Sequence, residues 1–122
     1  MNQKFPKNEK LKSSKIIENL FLNGKKHIQF PLKIIYLETS ESENNKVAFS
    51  VPKRNFKKAV ERNRIKRLLR EIYRLNKHRL VKKEANLLIL FIYIGKQMPD
   101  YHTLEKKMIS LMTYLNERTI KN

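Results

Sequence analysis

The stretch SVPKRNFKKAVERNRIKRLLREIYRL, from Ser50 to Leu75, decides how this chain is read. Its first two residues close a β-prone run that begins at Lys46. Pro52 cannot donate to a strand ladder and Asn55 is a favoured helix N-cap, so a strand ends near Val51 and a helix starts near Phe56. That helix is predicted to run to about Lys83. At about 100° per residue, Ile65, Leu68, Leu69, Ile72 and Leu75 fall within an arc of about 120°, which must face a core. Asn63, Lys66, Arg67, Arg70 and Arg74 project from the opposite side. Arg62 and Arg64 fall on the two borders, where their stems lie along apolar surface and their guanidinium groups reach outward.

The charge on this segment is concentrated. The chain has 122 residues, 28 Lys plus Arg against 11 Asp plus Glu, and a net charge of +17. Between residues 52 and 83 there are 14 of those 28 cations, with Glu61 and Glu71 the only acids. A helix face that is merely solvated usually carries neutralising acids at i,i+4, and here they are nearly missing. A polyanion is the partner that offsets such self-repulsion, and nucleic acid leads. The candidate contacts are Lys53, Arg54, Lys57, Lys58, Arg62, Asn63, Arg64, Lys66, Arg67, Arg70 and Arg74. Arginine can grip a phosphate bidentately and stack on a base, while Asn can donate and accept at a base edge or ribose hydroxyl.

Working outward, Ser13 and Ser14 precede Ile16, Ile17, Leu20 and Phe21 at helical spacing, which predicts a helix over 14–23 with Gly24 as a left-handed C-terminal cap. Ile28 to Phe30 and Leu32 to Leu37 are short β-prone segments broken by Pro31, and a polar connection follows over 38–45. Leu87 to Ile94 is apolar on both alternating faces and predicts a buried central strand. After Pro99 and Asp100, the spacing of Leu104, Met108, Leu111, Met112 and Leu115 gives a final amphipathic helix. The expected fold class is α+β, an α/β sandwich in the order α-β-β-β-α-β-α with a mixed four-stranded sheet. A chain of this length has material for one modest core, so one domain is expected, ordered over about 10–118 with basic ends.

Several classes are excluded or disfavoured. Without Cys there is no thiolate metal site, disulfide or thiol nucleophile. The eight-residue run Leu87 to Ile94 is too short to span a bilayer, which needs roughly 20 residues, and the basic start lacks a signal-peptide core, so a cytoplasmic location is expected. Two glycines cannot build a phosphate-cradling loop. Glu38, Glu41 and Glu43 lie in a polar connection with no paired His, and His27, His78 and His102 are scattered, so neither a metal site nor a catalytic residue is expected. The final helix mixes Glu105 and Glu117 with Lys106, Lys107 and Arg118 on its polar side, which disfavours a membrane surface. A DNA-reading helix is disfavoured by the strongly β-prone 87–94 segment. A ribosomal or general RNA-chaperone protein has the same charge and scale and remains open.

The run Ser50-Val51-Pro52-Lys53-Arg54, leading through Ala59-Val60-Glu61 into Arg62-Asn63-Arg64-Ile65-Lys66-Arg67-Leu68-Leu69-Arg70, resembles the protein component of bacterial ribonuclease P. The Arg-Asn-Arg signature with its flanking Ala-Val and Ile-Lys-Arg carries the likeness, and the element order agrees over roughly 10–118. The resemblance implies a subunit that binds a catalytic RNA and the 5′ leader of precursor tRNA, promoting endonucleolytic removal of that leader. It implies that chemistry belongs to the RNA and its magnesium, with no cofactor bound by the protein alone and no protein partner required. Arg62, Asn63, Arg64, Lys66, Arg67 and Arg70 would then contact the catalytic RNA, with Lys53 and Arg54 nearby. A cleft between the first helix and the sheet would hold the leader, with Ile17, Phe21, Lys33, Ile35, Phe49 and Val51 as its candidate lining. The chain departs from the family pattern where Lys57 and Lys58 stand in place of a loop Gly, and where Tyr93 occupies the end of the central strand.

Overall fold

The structure, a computed structural model, describes Lys10, Leu11 and residues 13–40, 44–81 and 85–118. Its elements follow in the order α1 (Ser14–Asn23), β1 (Lys25–Gln29), β2 (Leu32–Thr39), β3 (Lys46–Ser50), α2 (Ala59–Asn76), β4 (Asn86–Tyr93) and α3 (Tyr101–Arg118). A 3₁₀ turn, Lys77–Arg79, continues from the end of α2. The expected sequence of elements and the mixed four-stranded sheet are both present. No helix among the described residues is long and apolar enough to cross a membrane.

The sheet runs β1-β2-β4-β3, with β4 antiparallel to β2 and parallel to β3. Lys10 and Leu11 lie along β3, where the Leu11 amide donates to the Val47 carbonyl at 2.9 Å. Side chains alternate between two apolar layers. Ile34, Tyr36, Val47, Ile89 and Phe91 meet α2 and α3 on one face, while Ile35, Leu90 and Ile92 meet α1 and Leu11 on the other. A strand buried on both sides has no polar face, which explains the unbroken apolar run in β4.

Two expected helix ends differ. Asn55 does not cap α2; it closes a turn in which its amide donates to the Pro52 carbonyl at 3.3 Å, and Phe56 is drawn into the core beside the Tyr93 ring at 6.0 Å. The helix therefore starts at Ala59. It ends at Asn76 instead of near Lys83, and Lys82 and Lys83 lie outside the described residues, as do Glu41 and Glu43. Buried Asn76 donates to the Ile72 carbonyl at 2.9 Å and to Glu105 at 3.1 Å, and accepts from Arg79 Nε at 2.9 Å, which ties the end of α2 to α3. Asp100 caps α3 by accepting from the Thr103 amide and hydroxyl at 3.0 and 2.8 Å. Those two bonds hold its carboxyl below the ordinary carboxylate value.

Gly24 is not left-handed as expected but extended, with φ −71° and ψ 155°. Its glycine identity answers to close packing instead. A Cβ there would lie 2.5 Å from the Leu20 carbonyl oxygen and 2.6 Å from Ile35 Cγ2, so the helix leaves against the sheet only without one.

Candidate nucleic-acid interface

The parallel strands β3 and β4 both end on one edge of the sheet, and their following segments converge there. Asn55 Nδ2 donates to the Gly95 carbonyl at 3.5 Å, joining the turn before α2 to the segment after β4. Buried Tyr93 donates its hydroxyl to the Gln97 carbonyl at 2.6 Å, and the Ile94 amide donates to the Pro31 carbonyl at 2.8 Å. A Cβ on Gly95 would lie 2.5 Å from the Tyr93 hydroxyl, so the ring and the chain can approach this closely only at a glycine. Burial pushes the Tyr93 phenol above its ordinary value.

From this base α2 rises with Ile65, Leu69 and Ile72 fully buried. Its inward arc is rotated from the expected one: Tyr73 and Asn76 are buried, Leu68 is half-buried, and Leu75 is 45% exposed. The cause is α3, which packs on the Asn76 side, while Tyr73 fits against Phe49 and Phe91 with ring centroids 6.2 and 5.8 Å apart.

The predicted contacts separate into three groups. Lys53, Arg54, Lys57 and Lys58 are exposed in the segment before α2, and Asn63, Arg64 and Arg67 are exposed on the helix with Lys66 and Arg70 half-buried beside them. None of these nine side chains makes an intramolecular hydrogen bond or ion pair among the described residues. Arg74 differs, because its guanidinium is held by Glu71 at 2.7 and 3.3 Å. Arg62 differs more. Its Nη1 donates to the Phe56 and Lys57 carbonyls at 2.7 and 2.9 Å, so one arm of this guanidinium braces the turn from within. We expect Arg62→Ala to lower stability by about 1–3 kcal/mol through the two orphaned carbonyls, read as a fall in the denaturation midpoint. Arg64→Ala is expected to leave that midpoint within about 0.5 kcal/mol of the parent.

The expected cleft lining is brought together only in part. α1 lies over the face carrying Ile35, Leu90 and Ile92, with Ile17 half-buried against it and Phe21 50% exposed. Lys33 shares this face by alternation with Ile35. Phe49 and Val51 do not: both belong to the α2/α3 layer, where Phe49 stacks on Phe91 at 5.5 Å. The register pairs Ile34 with Phe91 and Phe91 with Phe49, so the β3 residues on the α1 face are Lys46, Ala48 and Ser50. Alternation within each strand was legible, but matching β2 to β3 needed the register of β4 between them. Ala48, Leu90 and Ile92 were missed for that reason.

No cluster of three or more His, Asp or Glu that could hold a metal occurs among the described residues. His27 stacks on Tyr114 at 3.7 Å. Tyr36, Tyr73 and Tyr93 are buried. Burial, and then a 3.1 Å hydrogen bond shared with the Tyr114 hydroxyl, push the Tyr36 phenol well above its ordinary value.

The family model described as "Ribonuclease P" matches residues 5–116. The ribonuclease P protein component of Porphyromonas gingivalis strain ATCC 33277 is 37% identical over 108 residues, covering 84% of this chain and 79% of the relative. That of Chlorobium phaeobacteroides is 35% identical over 122 residues, covering 87% and 84%. The solved RNase P proteins of Staphylococcus aureus and Thermotoga maritima each superpose with a TM-score of 0.74. Their identities are 17% and 23%, with 88% and 87% of this chain and 94% and 96% of theirs covered, so they share the fold. The chain belongs to the family of ribonuclease P protein components, the protein subunits of the ribonucleoprotein endoribonuclease ribonuclease P.

Proposed function

We propose that the unpaired cations of α2 and of the segment before it bind the catalytic RNA, and that the α1 face of the sheet receives the 5′ leader of precursor tRNA. The observation that carries this is the freedom of Arg64, Lys66, Arg67 and Arg70 on a helix whose base is anchored at both converging segments. On a rigid helix the backbone is already ordered, so meeting phosphates costs only the rotamer freedom of the side chains. Two polyanions repel, and a subunit with a charge of +17 offsets that repulsion and lowers the demand for magnesium, which acts through the RNA. The protein's part is to position substrate, with no catalytic side chain and no protein partner needed.

Mixing the chain with the catalytic RNA and precursor tRNA is expected to accelerate 5′ leader removal at low magnesium. The binding constant is expected to fall with salt on a logarithmic slope of roughly −4 to −5 if about six phosphates are neutralised. A general RNA chaperone would share the salt slope but not restore cleavage. Absence of acceleration would assign the chain's cations to another RNA.

A further inference from the structure

A pocket of about 430 Å³ opens between α2 and the segment after β4, beside the free guanidinium groups. Its volume is within the range of about 300–1000 Å³ usual for small-molecule sites. Leu68, Met98 and Pro99 give it apolar walls, Arg64 and Arg67 stand at its edge, and Glu71 contributes a carboxylate. Met98 is 41% exposed although the segment bearing it is tied down through Tyr93 and Asn55, so the wall is built in advance. Glu71 is an acid on a face that otherwise carries cations. The Arg74 fork fixes its orientation with one hydrogen bond to each oxygen, and a carboxylate retains further acceptor sites after that.

An apolar slot between guanidinium groups, with one fixed acceptor, has the chemistry of an unstacked base. Its faces want apolar or guanidinium surface, its Watson–Crick edge carries an N–H group, and its two flanking phosphates want cations. We infer that this pocket takes a single splayed-out nucleobase of the catalytic RNA, its edge donating to Glu71 and its phosphates held by Arg64 and Arg67. This rests on α2 facing that RNA. A base edge donating to Glu71 would use the acceptor sites that its pairing with Arg74 leaves over.

The test probes the catalytic RNA in its complex with the full chain, using base-modifying reagents for all four bases and hydroxyl radicals for the backbone. The comparison is among the parent, Met98→Ala and Glu71→Ala. One base is expected to be shielded by the parent and to return to the reactivity of free RNA in both variants, while backbone protection persists. Glu71→Ala gives the sharper result, because it raises the protein's net charge and would tighten purely electrostatic binding. Backbone protection with no base responding to either variant overturns the pocket and leaves the helix face standing. Loss of all backbone protection in the parent complex overturns the helix face, and the pocket with it. Circular dichroism of the two variants, expected to match the parent, separates these outcomes from misfolding.

Discussion

Replacing Arg64, Arg67 and Arg70 together by Ala is expected to weaken binding to the catalytic RNA by about 3–5 kcal/mol, roughly a 10²–10⁴-fold loss. Stability should change by less than about 1 kcal/mol. None of the three has an intramolecular partner among the described residues, so their removal orphans nothing in the free protein. In the complex, each is assigned a charge-assisted bond to a phosphate. The logarithmic salt slope should become shallower by about 2–3, since three fewer counterions are released. Arg62 is left intact because its loss would mix a folding defect into the binding measurement. Unchanged RNA affinity in this variant would remove α2 from the interface.

Phe91→Ala should give the opposite pattern, a loss of about 3–5 kcal/mol in stability with every cation retained. Phe91 is fully buried at the middle of β4, stacked on Phe49 at 5.5 Å and tilted against Tyr73 of α2 at 5.8 Å. Truncation leaves a ring-sized cavity under the helix, a large fraction of the roughly 5–15 kcal/mol that holds a small domain together. Chemical denaturation should show the midpoint falling steeply, and RNA affinity should fall as the folded fraction does. Phe91→Leu, which keeps most of the volume, is expected to recover most of both. If Phe91→Ala were as stable as the parent, the α2/α3 layer would not be packed as described.

What could be read from residues alone followed from how local the cause was. The bounds of α1 and the all-apolar character of β4 were legible because helical spacing and a two-sided apolar run are written in consecutive residues. The cation face of α2 was legible for the same reason. Its rotation was not, since a count of apolar side chains leaves Tyr73 and Asn76 outside, whereas packing against Phe91 and hydrogen bonds to Ile72 and Glu105 bring them in. The helix start was missed because Asn55 has two possible uses, cap or turn, and the distant Gly95 carbonyl selects the second. Gly24 reads in sequence as a left-handed cap, and only its packing against Leu20 and Ile35 shows that close approach is what calls for glycine. The role of Arg62 was equally hidden, because a guanidinium turned back to carbonyls five and six residues upstream reads in sequence like one more surface charge.

The place of β4 has a consequence for how this protein comes into being. It is the last strand among the described residues, yet it lies between β2 and β3 and supplies both Ile92 beneath α1 and Phe91 beneath α2. A nascent chain leaving the ribosome can form the β1–β2 hairpin early, but β3 has no strand to lie against until residues 86–93 emerge. The two surfaces assigned to RNA are thus completed by one event late in translation, and a half-made subunit carries its cations on neither.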